Sequence, residues 1–127
     1  MSEASDQVVL IVEDDDLARM VASDMFMDAG YRALEAENAD EALRILETNT
    51  DVKLLFTDVS MPGTLSGTDL ARHVTERWPG IGIIMASGRP QPDNLPMGIR
   101  FHAKPYEREA VLSHAREMSA PPACACP

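Results

Sequence analysis

Glu13, Asp14 and Asp58, with Ser87 and Lys104, are the residues whose types and spacing can do chemistry. The acids Glu13-Asp14-Asp15-Asp16 directly follow the apolar run Val8-Val9-Leu10-Ile11-Val12, and Asp58 directly follows Val52-Lys53-Leu54-Leu55-Phe56-Thr57. Carboxylates gathered at two adjoining strand ends repel one another in a partly dry cleft unless bound protons or a cation relieve them. Mg²⁺ suits such a set, because it takes oxygen ligands in octahedral geometry and keeps several waters. The acidic run alone is weak support, since Asp15 and Asp16 fit as ordinary acids at a helix start. Ser87 closes another apolar run and can donate its hydroxyl to a phosphoryl oxygen, while Lys104 closes a further one and can place an ammonium beside it. Taken singly, a Ser there is usually a turn residue and a Lys is usually solvated. Four agreeing strand ends point to a Mg²⁺-assisted phosphoryl-transfer site.

Those ends must be brought together by the fold. Val8–Val12 is short, β-branched and wholly apolar, as in a strand covered on both faces of a parallel sheet. Leu17, Met20, Val21 and Met25 recur at helical spacing before Gly30, giving a helix from about Asp16 to Ala29. Tyr31 to Glu35 reads as a second strand, followed by a helix capped by Asn38 with Ala39, Ala42, Leu43 and Leu46 as its inner stripe. The third strand ends at Asp58. Ser66 can cap the next helix, which carries Leu70 and Val74 and stops before Trp78-Pro79. Ile81 to Ala86 and Ile99 to Ala103 read as the fourth and fifth strands, and Val111, Leu112, Ala115 and Met118 as the inner face of a last helix. The alternation implies a doubly wound α/β fold, and the simplest arrangement is the flavodoxin-like five-stranded parallel sheet of order 2-1-3-4-5. In that order strands 1 and 3 adjoin at the topological switch point, which places Glu13, Asp14 and Asp58 together.

The 127 residues allow one domain: residues 8–118, flanked by disordered ends at 1–7 and 119–127. With 21 acidic against 11 basic residues and a formal charge of −10, the chain lacks the basic stripe that nucleic acid binding requires. No stretch approaches the ~20 apolar residues of a membrane helix, and Met1-Ser2-Glu3-Ala4-Ser5-Asp6 has no leader pattern, so a cytoplasmic protein is expected. The two cysteines, Cys124 and Cys126, lie in a Pro- and Ala-rich tail and read as reduced thiols.

The segments Leu10-Ile11-Val12-Glu13-Asp14-Asp15, Phe56-Thr57-Asp58-Val59-Ser60-Met61-Pro62-Gly63, Ile83-Ile84-Met85-Ala86-Ser87 and Ala103-Lys104-Pro105-Tyr106 occur in order. From Val8 to about Met118 the sequence thereby resembles the receiver domains of bacterial response regulators. The resemblance implies Asp58 as phosphoacceptor, Glu13 and Asp14 as the metal-binding pair, and Ser60 as a metal ligand through its backbone carbonyl. It also implies Ser87 as switch hydroxyl, Phe101 as the aromatic that turns into the space Ser87 vacates, Lys104 as the phosphate-binding lysine, and a cis Lys104–Pro105 bond. Mg²⁺ is the implied cofactor. The implied phosphodonor is a histidine kinase or histidine phosphotransfer protein, recognised through surface residues of the first helix such as Arg19, Met20 and Ser23.

Pro90, Pro92 and Pro96 lie where the family has its fourth helix, in a connection shorter than usual. That helix is expected to be short, displaced or missing. The Gly63–Gly67 loop is one residue longer than the commonest form of its motif. With no second domain after the last helix, the expected function is a single-domain response regulator that relays or signals by protein contact, with no turnover beyond its own phosphorylation and dephosphorylation. A receiver segment of a hybrid histidine kinase is the nearest alternative. From other classes, a phosphorylation-independent binding module competes, whereas a phosphatase of the haloacid-dehalogenase type lacks the acid it needs two residues after the nucleophile, where Ser60 stands.

Overall fold

A computed structural model describes residues 7–59, 66–88 and 98–119. The elements run β1 (Val8–Val12), α1 (Asp16–Asp28), β2 (Arg32–Ala36), α2 (Ala39–Thr48), β3 (Val52–Asp58), α3 (Gly67–Arg77), β4 (Gly82–Ser87), β5 (Arg100–Ala103) and α4 (Arg108–Ser119). All strand pairs are parallel, and the order is β2-β1-β3-β4-β5. The doubly wound sheet expected from the sequence is therefore the observed one. Residues 89–97, on which the expectation about the fourth helix rests, lie outside the described residues, as do the flanks 1–6 and 120–127.

Alternation along the central strands explains the two cores. Val8, Leu10 and Val12 of β1 face a cluster with Ala42 and Leu46 of α2 and Leu70 and Val74 of α3. Val9 and Ile11 face the opposite cluster, with Met25 and Phe26 of α1 and Val111, Leu112 and Ala115 of α4. Because successive strand side chains point to opposite faces, a wholly apolar strand serves both layers. The β1–β3 register slips between Val8, opposite Val52, and Val9, opposite Leu54. Lys53 is thus passed over, which lets Val52 and Leu54 serve opposite cores despite their spacing of two.

Helix ends follow local chemistry. Asp15, Asn38 and Ser66 accept the backbone N–H groups of Ala18, Glu41 and Asp69, and Asp69 returns a bond to the Ser66 N–H to complete a capping box. One helix differs from its expected face. On α1 the buried residues are Ala22, Ser23, Met25 and Phe26, while Leu17, Met20 and Val21 are more than half exposed. Ala22, Ser23, Phe26 and the expected Met25 are turned inward, and the larger apolar side chains of the first turns are left outside.

At the sheet edge, His102 Nε2 of β5 lies 2.9 Å from His114 Nδ1 of α4, and Arg100 pairs with Glu117 one rung away at 3.4 Å. Burial, and then the neighbouring His114, hold the His102 imidazole below its ordinary range. The unfolded chain therefore binds this proton more readily than the folded one, so stability is full at higher pH and falls as pH drops through the ordinary imidazole range. Denaturant midpoints measured from about pH 7 to about pH 5 should fall, and fall less in His102→Gln. Equal slopes in the two proteins would remove the pair as the cause.

Candidate acidic site at the switch point

Backbone register levels the strand ends. Val12 lies opposite Thr57, Asp58 opposite Ala86, and Ser87 opposite Ala103. Past those ends, the Glu13 N–H donates to the Ala36 carbonyl at 3.1 Å, Val59 N–H to Ala86 at 3.2 Å, and Lys104 N–H to Ser87 at 2.7 Å. The Lys104–Pro105 bond is cis, as the resemblance implied.

Glu13, Asp14 and Asp58 each offer a carboxylate oxygen within 4.8 Å of the others. Lys104 Nζ, arriving from the far end of the sheet, lies 3.2 Å from both Glu13 Oε1 and Asp58 Oδ2. Glu13 is buried, Asp58 half-buried and Asp14 exposed, so the cluster opens to solvent on one side. Ser87 is buried at the end of β4, and Phe101 packs half-buried against the cluster that contains Met85. Ser60 lies outside the described residues. The structure thus brings together Glu13, Asp14, Asp58 and Lys104, with Ser87 at the adjoining strand end.

Electrostatics show a site short of positive charge. Burial pushes the Glu13 carboxyl up; the nearby Asp58 charge adds to that, while the Asp15 N–H and Lys104 oppose it. Burial alone would lower Lys104, but the Asp58 and Glu13 carboxylates outweigh it and raise the ammonium's pKa. Three carboxylates against one touching ammonium leave a formal charge of −2 (−3 + 1). Hard oxygen donors with that balance fit a small divalent cation.

Beside the acids lies an open groove of about 700 Å³, lined by Leu17, Val21 and Met25 of α1 and by Lys104, Pro105 and Tyr106. Tyr106 is fixed there by edge-on contact with Phe56, which in turn meets Phe26. Of the three α1 residues expected at the surface, only Met20 is exposed. Ser23 is buried and donates to Glu35 at 2.7 Å, and Arg19 folds back over the first turn with its side chain 13% exposed. From the sequence Arg19 has a role only at the outer surface of the helix, and Tyr106 only a place in a motif, not a position beside the acids. The only signal for Arg19 was a long cation one turn into a helix that starts with acids.

Gly67 fixes the level of the Asp58 backbone. Its N–H donates to the Val59 carbonyl at 2.8 Å, and a Cβ built on it would overlap the Asp58 carbonyl oxygen and stand 2.9 Å from Val59 Cα. Backbone atoms cannot yield as a flexible side chain does, so Gly67→Ala should cost about 3 kcal/mol in chemical denaturation. Gly80, with nothing within 4 Å of its would-be Cβ, is the control, and Gly80→Ala should shift stability by less than about 0.5 kcal/mol. Similar costs for both would disprove the close-approach argument.

The parallel doubly wound sheet gathers an acid cluster and a lysine at its switch point, groups suited to a divalent cation and a phosphoryl group. The chain belongs to the response regulator receiver domain family, whose model matches residues 9–111. It is similar to the sensor kinase CckA of Brucella abortus, 33% identical over 116 residues that make up 87% of this chain and 12% of that protein. It is also similar to the chemotaxis protein CheY1 of Helicobacter pylori, 38% identical over 80 residues, 61% of this chain and 64% of that one. The chain therefore spans about an eighth of the kinase and less than two thirds of the chemotaxis protein. Among solved structures, the response regulator TrrA of Thermotoga maritima in complex with Mg²⁺-BeF superposes with a TM-score of 0.81 at 21% identity, over 89% of this chain and 99% of that one. The acidic pocket of Glu13, Asp14 and Asp58 fits the family's phosphorylation site. No helix among the described residues is long and apolar enough to cross a membrane.

Proposed function

We propose that this receiver takes a phosphoryl group onto Asp58 from a phosphohistidine of a histidine kinase or histidine phosphotransfer protein, and signals or relays it by protein contact in the cytoplasm. The observation that carries the reading is Lys104 Nζ seated 3.2 Å from both Glu13 and Asp58 in a cluster that still lacks positive charge. Glu13, Asp14, Asp58 and the Ser60 backbone carbonyl would hold Mg²⁺, which supplies charge neutralisation on the transferring phosphoryl oxygens.

The chain's own groups then divide the work. The Asp58 carboxylate attacks phosphorus in line as the phosphorus–nitrogen bond to histidine breaks, leaving an acyl phosphate on Asp58 and a histidine that takes up a proton. Lys104 offsets charge on the equatorial oxygens, and Ser87 donates its hydroxyl to one of them. Drawing Ser87 inward makes room behind β4 for Phe101, so the surface around β5 reports the phosphorylated state. The groove between α1 and Tyr106, with Leu17 and Val21 exposed at its rim, supports a protein phosphodonor because it runs directly up to Lys104. Residues 8–118 are the receiver, and it turns over no separate substrate.

Incubation with Mg²⁺ and acetyl phosphate should give one acid-stable, base-labile phosphoryl group per chain, and none when EDTA replaces Mg²⁺. Equal labelling in EDTA would contradict the metal's part. Absence of label with small donors and with every phosphorylated kinase or transfer protein offered would leave a binding module that works without phosphorylation.

A further inference from the structure

We propose that Arg19 is a positioning residue for the cation site: it holds the β1–α1 turn from behind, so that the Glu13 and Asp14 carboxylates stay presented without the guanidinium occupying a ligand position. The proposal rests on Mg²⁺ binding at Glu13, Asp14 and Asp58.

The Arg19 guanidinium makes three contacts on two segments of chain, the β1–α1 turn and β2. Nη1 donates to the Glu13 backbone carbonyl at 2.8 Å, Nη2 to Asp16 Oδ1 at 2.6 Å, and Nε lies 3.4 Å from Glu35 Oε1 on β2. Glu35 is itself held through its other oxygen by the buried Ser23 hydroxyl at 2.7 Å. The rigid planar fork of arginine allows such simultaneous contacts, and a lysine ammonium could not reproduce their spacing.

The turn it grips is the one that carries the acids. The Glu13 N–H is tied to β2 through the Ala36 carbonyl, and the Glu13 carboxylate accepts the Asp15 N–H at 3.2 Å and the Lys104 ammonium at 3.2 Å. With N–H and side chain anchored, the remaining freedom is rotation of the peptide unit joining Glu13 to Asp14, and its carbonyl is the atom Arg19 holds. That peptide sets where the exposed Asp14 begins. A free Asp14 would spread its carboxylate into solvent, away from the other two acids, and a cation would have to bear the cost of ordering it.

Position behind the turn also separates Arg19 from Lys104. Lys104 touches the carboxylate oxygens themselves and competes with a metal for them, whereas Arg19 bonds to a backbone carbonyl, Asp16 and Glu35, none of them a carboxylate of the cluster.

The test is isothermal titration of the unphosphorylated protein with Mg²⁺ alone. Arg19→Ala should weaken Mg²⁺ binding about tenfold or more, the scale expected when a partner that orients a ligand is removed. Arg19→Lys should recover only part of the loss. Ser23→Ala, which loosens Glu35 but leaves the bond to the Glu13 carbonyl, should bind within about twofold of wild type. The Mg²⁺ concentration for half-maximal labelling by acetyl phosphate should rise with the dissociation constant, so that added Mg²⁺ restores labelling. Should Arg19→Ala fail to fold, Arg19→Gln, which keeps much of the stem and an amide donor, is titrated instead with the same expectation. Undiminished affinity in the folded variant overturns the proposal. Wild-type protein that binds no Mg²⁺ overturns the underlying reading of the site, a result distinct from the first.

Discussion

Asp58→Asn should abolish phosphorylation completely while leaving the fold intact. The amide has the size of the carboxylate but cannot attack phosphorus as an anion, so no donor and no Mg²⁺ concentration should restore a stable adduct. The residue ends a strand paired on both sides, opposite Ala86, and its side chain is 14% exposed, so an isosteric change disturbs little packing. Removing one of two like charges beside the buried Glu13 should keep the melting temperature equal or raise it. Lys104 retains Glu13 as a partner. A clean loss of labelling with undiminished stability separates the loss of a nucleophile from the loss of a fold.

Lys104→Met should move two properties in opposite directions. The rate of phosphoryl transfer to Asp58 should fall about 10²–10³-fold, the scale for removing one positioned group that meets developing charge. Mg²⁺ should bind more tightly to the same variant, because the ammonium that shares the Glu13 and Asp58 oxygens is gone. Without metal, the unrelieved carboxylates should lower the melting temperature, and saturating Mg²⁺ should raise it by more than in wild type. Thermal melts with and without Mg²⁺ check the stability half, and rapid-mixing labelling checks the rate. Weaker Mg²⁺ binding in Lys104→Met would mean that the lysine organises the acids and does not compete for them.

Both expectations derive from strand ends, which is why the site was legible before the fold was seen. An apolar run that stops at a polar residue marks its own terminus, and Glu13, Asp58, Ser87 and Lys104 each stand at such a stop. The order of strands followed from alternation, and the caps at Asn38 and Ser66 from side chains that satisfy helix N–H groups locally. Features that depend on reach across the sheet were not legible in this way. Periodicity offers Leu17, Met20 and Val21 as a helix's inner face as readily as Ala22, Met25 and Phe26, and only packing against the sheet decides between them. Arg19 reads as a solvated cation until its fork is seen doubled back on the Glu13 carbonyl. The passing-over of Lys53, the contact of Gly67 with the Asp58 carbonyl and the His102–His114 pair all join distant segments, so no local pattern carries them.

The central claim is that the acceptor is the Asp58 carboxylate. An acyl phosphate can be reduced by borohydride to the alcohol, which converts a phosphorylated aspartate to homoserine and leaves free carboxylates unchanged. Peptide mapping of protein labelled with Mg²⁺ and acetyl phosphate, then reduced, should place homoserine at position 58 alone. Homoserine at Asp14 or another acid, or a stable phosphoryl group that borohydride does not remove, would contradict the account.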